Sequence, residues 1–198
     1  MGVAGAISDT RTLVITGAAG LLAGALSMSA GEYVSVRSQR ELYEAEIASE
    51  RKELETQPKE EVDELARIYE RRGLPRDIAC RISKALSADL KTALETHARE
   101  ELGLNLGDLG SPIGAAVSSF FSFAAGAFVP LLPFIAGFGN RAFAMAAVLA
   151  VIALVIVGMV SARLTEQNIW RGGLRLLVVG GGAGVVAYLI GRALGVTV

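Results

Sequence analysis

Glutamates stand at positions 50 and 53 and again at 61 and 64, two i,i+3 pairs separated by Pro58. A helix carries residues three apart on one face, so each pair sets two carboxylates side by side. If the helices on either side of Pro58 pack antiparallel, four carboxylates meet at one place. Like charges so gathered repel, and a bound cation offsets the cost. Further along, His97, Glu100 and Glu101 fall within one helical turn, with His97 and Glu101 sharing a face. An oxygen-rich site with one optional imidazole suits Fe²⁺, Mn²⁺ or Ca²⁺ better than a thiolate-seeking metal. A solvated acidic face accounts for the same glutamate spacing, and His97 taken alone reads as a surface residue.

A second constellation lies in an apolar stretch, "GALSMSAGEY", where Met28 and Glu32 are four apart and share a helix face. A carboxylate within a hydrophobic span is a functional candidate because burying it unpaired is costly. A thioether beside it offers a place for a borderline divalent ion on a polar path. The competing readings are plain packing for Met28 and interface anchoring for Glu32, which lies five residues before Arg37.

These residues are positioned by two kinds of segment. Of the 39 Asp, Glu, Lys and Arg residues in 198, 30 fall between Arg37 and Asp108, in a chain that is 52% hydrophobic with mean hydropathy +0.47. Outside that section the apolar runs are long enough to cross a bilayer core of roughly 30 Å, about 20 helical residues. Residues 13–36, 112–139, 142–162 and 172–195 are the expected spans, the second kinked or ended by Pro130 and Pro133. "SDTRT" supplies cap-type residues before the first of them. The spans divide the chain into an N-terminal membrane segment, 1–36, a charged helical section, 37–108, and a C-terminal membrane part, 109–198. Arg37, Arg40, Arg163, Arg171 and Arg175 outweigh Arg11, Arg141 and Arg192 on the other side, which places residues 37–108 in the cytosol by the positive-inside bias. Within that section three helices are expected: one to about Thr56, one from Lys59 to Arg72 closed by Gly73, and one from Pro75 to Leu102 with a break near Ser87.

Several classes of function drop out. The net charge of −1 offers no polyanion-binding surplus, so no nucleic acid is expected. One cysteine, Cys80, makes neither an intrachain disulfide nor a CxxC metal knuckle. One histidine and one cysteine in these contexts assemble no nucleophilic triad, so enzymatic hydrolysis is not expected. "GGGAGVVAYLIG" lies in an apolar span without a preceding strand and is not a nucleotide loop; no organic cofactor is expected. Gly20xxxGly24 and Gly180xxxGly184 allow close helix approach.

The order of "AGLLAGALSMSAGEYVSVRSQRE", the two ExxE pairs, "THAREELG" and "SFFSFAAGAFVPLLPF" resembles the vacuolar iron transporter (VIT) family across essentially the whole chain. The resemblance implies an all-α polytopic membrane protein that forms homodimers in the lipid bilayer. It implies a cytosolic three-helix metal-binding insertion, and export of Fe²⁺ or Mn²⁺ from the cytosol in exchange for protons. It carries metal binding to Glu50, Glu53, Glu61, Glu64 and Glu101, and the translocation path to Met28 and Glu32. His97 and Ala98 stand where plant-type members have adjacent methionines, which reduces softness and makes one imidazole available. "MGVAGAI" looks like the end of the family's first membrane helix, leaving four complete spans and a stump of a fifth, without the aspartate that the family carries upstream. The expectation that follows is a chain shortened at its N-terminus. A membrane-anchored metal buffer or interaction module that does not transport is the alternative. The Arg- and Ala-rich composition with compact loops points to a bacterial plasma membrane.

Overall fold

The computed structural model describes residues 2–6 and 9–195, and among these the chain is all-helical. The helices are α1 (Gly2–Ala6), α2 (Thr10–Thr56), α3 (Pro58–Arg71), α4 (Arg76–Leu86), α5 (Leu90–Glu100), α6 (Pro112–Phe128), α7 (Leu132–Ile135), α8 (Ala142–Leu164) and α9 (Ile169–Gly195). They form two compact units, one of residues 1–30 and 116–198, the other of residues 31–115.

Four helical stretches are long and apolar enough to cross a membrane: Thr10–Thr56, Pro112–Ile135, Gly139–Leu164 and Ile169–Leu194. Only 6–11% of each apolar window is buried by protein, so most of that hydrocarbon is at least partly exposed. Water would not tolerate such a surface; lipid does, because every helical backbone group is already satisfied internally. Asp9 starts α2 by accepting from the Thr12 amide at 2.8 Å, the cap expected of the "SDTRT" stretch, whose Ser8 lies outside the described residues. The second span stops being α-helical at Phe128, passes through a 3₁₀ turn at Val129–Leu131 and resumes as α7, in keeping with Pro130 and Pro133 withholding amide donors.

Close packing in the first unit uses glycines that the GxxxG spacing only half identifies. A Cβ on Gly24 would meet Phe123 of α6 at 2.4 Å, while Gly20 has open space around it. A Cβ on Gly180 would meet Leu154 at 2.6 Å, while one on Gly184 would meet nothing within 4 Å. A close backbone approach of α8 and α9 is instead at Gly158, where a Cβ would lie 2.5 Å from the Gly172 carbonyl oxygen. Of "MGVAGAI", residues 2–6 form α1, and a Cβ on Gly2 would lie 3.1 Å from the α9 carbonyl oxygen of Ala187; Met1 and Ile7 lie outside the described residues.

In the second unit the first expected helix is not separate. The first span runs on without a break as α2 to Thr56, rather than ending at residue 36. Gln57 is the whole linker to α3, whose N1 residue is Pro58, so Glu55 and Lys59 never share a helix. Gly73, at φ +96°, lets the chain leave α3, with the Leu74 amide donating back to the Tyr69 carbonyl at 3.2 Å. The expected third helix is two, broken between Leu86 and Leu90 where Asp89 caps α5 by accepting from the Thr92 amide at 3.0 Å. The return strand of loop after α5 is tied to α2 by Arg40, which donates to the Gly110 carbonyl at 3.3 Å.

Candidate metal centre

The α5 sequence folds with Ala93, Leu94, His97 and Ala98 on its buried face. That is the i, i+1, i+4, i+5 stripe of a helix lying against its neighbours. Leu54 of α2 packs against Ala93 and Leu94, with Ile47 and Leu106 completing this small core. Glu50 precedes Leu54 by one turn and His97 follows Ala93 by one turn, so an antiparallel crossing brings the two polar residues together beside the apolar anchor. Across the Pro58 break, the first turn of α3 returns Glu61 to the same place.

The imidazole of His97 is 0% exposed, and its Nδ1 lies 3.0 Å from Glu50 Oε1, 3.6 Å from Glu101 Oε2 and 3.7 Å from Glu61 Oε2. Glu50 and Glu61 are each 5% exposed. None of the three approaches has hydrogen-bond alignment: Glu50 Oε1 and both ring nitrogens of His97 are buried without a partner. Buried polar atoms are almost always paired, so a set of orphans pointed at one another calls for an explanation. A divalent ion bound at about 2.1 Å to each donor separates cis ligands by about 3.0 Å and tetrahedral ones by about 3.4 Å, close to the observed spacings. Two groups of donors lie within 4.8 Å of one another: Glu50, His97 and Glu101, and Glu50, Glu53 and Glu61.

Electrostatics agrees with the geometry. Burial, reinforced by the carboxylates of Glu101, Glu61, Glu53 and Glu64, pushes the Glu50 carboxyl up from 4.5 to about 7. Burial likewise raises Glu61, with Glu64, Glu53 and Glu101 adding repulsion. The charges that raise these two acids are other carboxylates, which is the arrangement a cation relieves.

The sequence candidates are therefore sorted. Glu50, Glu53, Glu61, Glu101 and His97 come together. The surface reading of His97 is wrong, because the apolar stripe of α5 carries its ring inward; that stripe is legible in the sequence and is the signal that would have buried it. Glu64 is exposed and acts on the cluster through its charge without entering either donor group. Glu100, a near neighbour in sequence, is drawn away by an ion pair with Arg72. Glu32 is exposed on α2, 18 residues before Glu50, about 27 Å at 1.5 Å per residue. Met28, in the first unit, is 49% exposed.

The chain matches the VIT family over residues 1–192. It is 39% identical over 181 residues to a vacuolar iron transporter of Acanthamoeba castellanii, covering 90% of this chain and 67% of that one. It is 34% identical to a vacuolar iron transporter of Toxoplasma gondii, over 98% of this chain and 67% of the relative. With vacuolar iron transporter 2 of Oryza sativa the identity is 28%, over 97% and 78% of the two chains.

Proposed function

Because this chain belongs to the VIT family, we propose that it moves a divalent metal across a membrane, exporting Fe²⁺ or Mn²⁺ from the cytosol in exchange for protons and working as a homodimer. The observation that carries the metal reading is the buried, unpartnered His97 imidazole facing three carboxylates. A solvated acidic face would leave these groups exposed; here Glu50 Oε1 and both ring nitrogens of His97 have given up water without gaining hydrogen bonds, a cost that metal coordination offsets.

In this reading residues 37–108 form a cytosolic metal-collecting domain, and residues 1–36 and 109–198 form the membrane part. The clustered donors Glu50, Glu53, Glu61, Glu101 and His97 gather several ions, and Glu64 adds field. Met28 and Glu32 serve the path through the membrane, the thioether as a soft contact and the carboxylate as a carrier of metal or proton. The compartment we propose, a bacterial plasma membrane, rests on composition and compact loops, whereas the relatives named above are eukaryotic; fractionation of source cells decides it.

Flux into proteoliposomes tests the whole. Protein reconstituted with Fe²⁺ or Mn²⁺ on one side and a proton gradient across the bilayer is expected to move metal and dissipate the gradient together. Metal binding without flux would overturn transport in favour of a membrane-anchored buffer.

A further inference from the structure

The two donor groups share one residue and differ in kind. Glu50, His97 and Glu101 offer a nitrogen and two carboxylates; Glu50, Glu53 and Glu61 offer carboxylates alone. We propose that His97 divides the cluster into two unlike subsites that meet at Glu50: a nitrogen-containing one with Glu101 that selects borderline divalent ions over hard ones, and an all-oxygen one with Glu53 and Glu61 that does not. The inference rests on the metal-binding reading above and adds which residue discriminates among metals.

Three observations support the division. First, Nδ1, not Nε2, is the nitrogen that faces the carboxylates, 3.0 Å from Glu50 and 3.6 Å from Glu101; Glu61, 3.7 Å away, borders both subsites but groups with Glu50 and Glu53. Second, His97 and Glu101 are held in fixed relation: the Glu101 amide donates to the His97 carbonyl at 2.9 Å as α5 closes, so this half of the cluster is built on one helical turn. Glu53, by contrast, comes from α2 one turn from Glu50, and Glu61 from the start of α3. Third, Glu50 has two oxygens, so one carboxylate can serve both sides. Imidazole favours Zn²⁺, Fe²⁺ and Ni²⁺ over Mg²⁺, Ca²⁺ and Mn²⁺, whereas carboxylates accept the hard ions readily. Mg²⁺ also gives up its waters reluctantly and gains little from a buried nitrogen.

His97 is the chain's single histidine. The 198-residue chain in detergent, labelled with ¹⁵N-histidine and freed of any purification tag, therefore reports this ring and no other. Zn²⁺ is expected to shift the Nδ1 resonance to that of a coordinated nitrogen while Nε2 keeps its proton; Mg²⁺ is expected to leave both unmoved. Glu101→Gln should weaken the Zn²⁺ affinity read at His97 by about tenfold or more, the order seen when even an outer partner of a metal site is lost. Glu53→Gln should weaken that affinity less than Glu101→Gln does, and should weaken the binding of Mn²⁺ read by its electron paramagnetic resonance. An Nδ1 resonance indifferent to Zn²⁺, or equally responsive to Mg²⁺, would overturn the proposal in the unmutated protein, so misfolding of a variant does not shelter it. Equal losses at His97 from Glu53→Gln and Glu101→Gln would overturn the division as well. Flux is read separately: transport with a silent histidine refutes the division alone, and a responsive histidine without flux refutes transport alone.

Discussion

Replacing Glu50 by Gln removes one charge from the middle of the cluster and keeps its shape, and the consequences for metal affinity and for stability have opposite signs. With its carboxyl raised to about 7 by burial and four neighbouring carboxylates, Glu50 holds a proton over the range from about 4.5 to about 7, where an exposed glutamate has lost it. A metal must displace that proton. Affinity at the cluster should therefore climb about tenfold per pH unit through this window for Glu50 alone, some 300-fold in all, and level off above pH 7. Glu61, also raised, steepens the climb. Stability of the metal-free domain runs the other way. The folded state binds the extra proton, so stability is greatest below about pH 4.5 with respect to this group and falls as pH rises towards 7, by an upper limit of about 3 kcal/mol at 1.36 kcal/mol per unit. In Glu50→Gln the affinity should be lower at every pH above 5, its slope against pH shallower by about one proton, and the chelated protein more resistant to unfolding at pH 8 than the parent. Isothermal titration of Zn²⁺ between pH 5 and 8, paired with hydrogen exchange of the α2, α3 and α5 amides in chelator, measures both. A slope unchanged by the substitution, or a metal-free variant less stable at pH 8, would refute the assignment of Glu50 as the cluster's protonated centre.

Other substitutions separate position from chemistry. Asp89→Ala removes the α5 cap and should cost about 1 kcal/mol of domain stability, loosening the helix that carries His97 and Glu101, as seen by faster exchange at Thr92 and Ala93. Gly158→Ala drives a Cβ to 2.5 Å from the Gly172 carbonyl oxygen, backbone that cannot swing aside; the α8–α9 pair should be destabilised by about 1–3 kcal/mol, measured as a lowered melting temperature in detergent. Glu32→Gln should slow proton-coupled flux more than it alters binding at the cluster, about 27 Å away on α2, and Met28→Leu should change metal preference while preserving the fold; wild-type flux and selectivity in both would return them to packing.

The membrane spans were legible because hydrocarbon writes itself into composition: long runs without charge admit few other readings. The ExxE pairs were legible as faces, since i,i+3 spacing and a proline between them dictate two helices whose carboxylates can meet. What spacing does not convey is continuity and depth. Nothing around Arg37 in the sequence distinguishes a helix that ends at the membrane surface from one that runs on to Thr56, because charged residues such as Arg37 and Glu41, 2.7 Å apart in the folded helix, support helix equally well. Depth at His97 is hidden for a similar reason. A single histidine among Glu, Arg and Thr looks solvated, and only the flanking Ala93, Leu94 and Ala98, small and apolar on its own face, turn it inward. The close contact at Gly158 was equally hidden, since it depends on which glycine of α9 happens to lie opposite.

The apolar anchor and the charged cluster are adjacent by construction, and that adjacency shapes how the site can work. Leu54, Ala93 and Leu94 pack one turn away from Glu50 and His97, so the energy that joins α2 to α5 acts where the carboxylates repel most. Burial of side chains the size of Leu54 and Leu94 contributes roughly 1.5–3 kcal/mol each. That is of the same order as the upper limit of about 3 kcal/mol by which ionised Glu50 opposes the fold above pH 7, on the conversion of 1.36 kcal/mol per unit. At neutral pH the charge of the metal-free cluster thus works against the packing of Leu54 on Ala93 and Leu94, one turn away. A bound cation removes the opposition without altering the anchor. Removing the anchor by Leu54→Ala should therefore make folding of the domain depend on metal: chelated variant protein is expected to lose protection of the α5 amides at pH 8, and saturating Zn²⁺ to restore much of it. Protection lost equally with and without Zn²⁺ would show that the cluster and the core do not share this load.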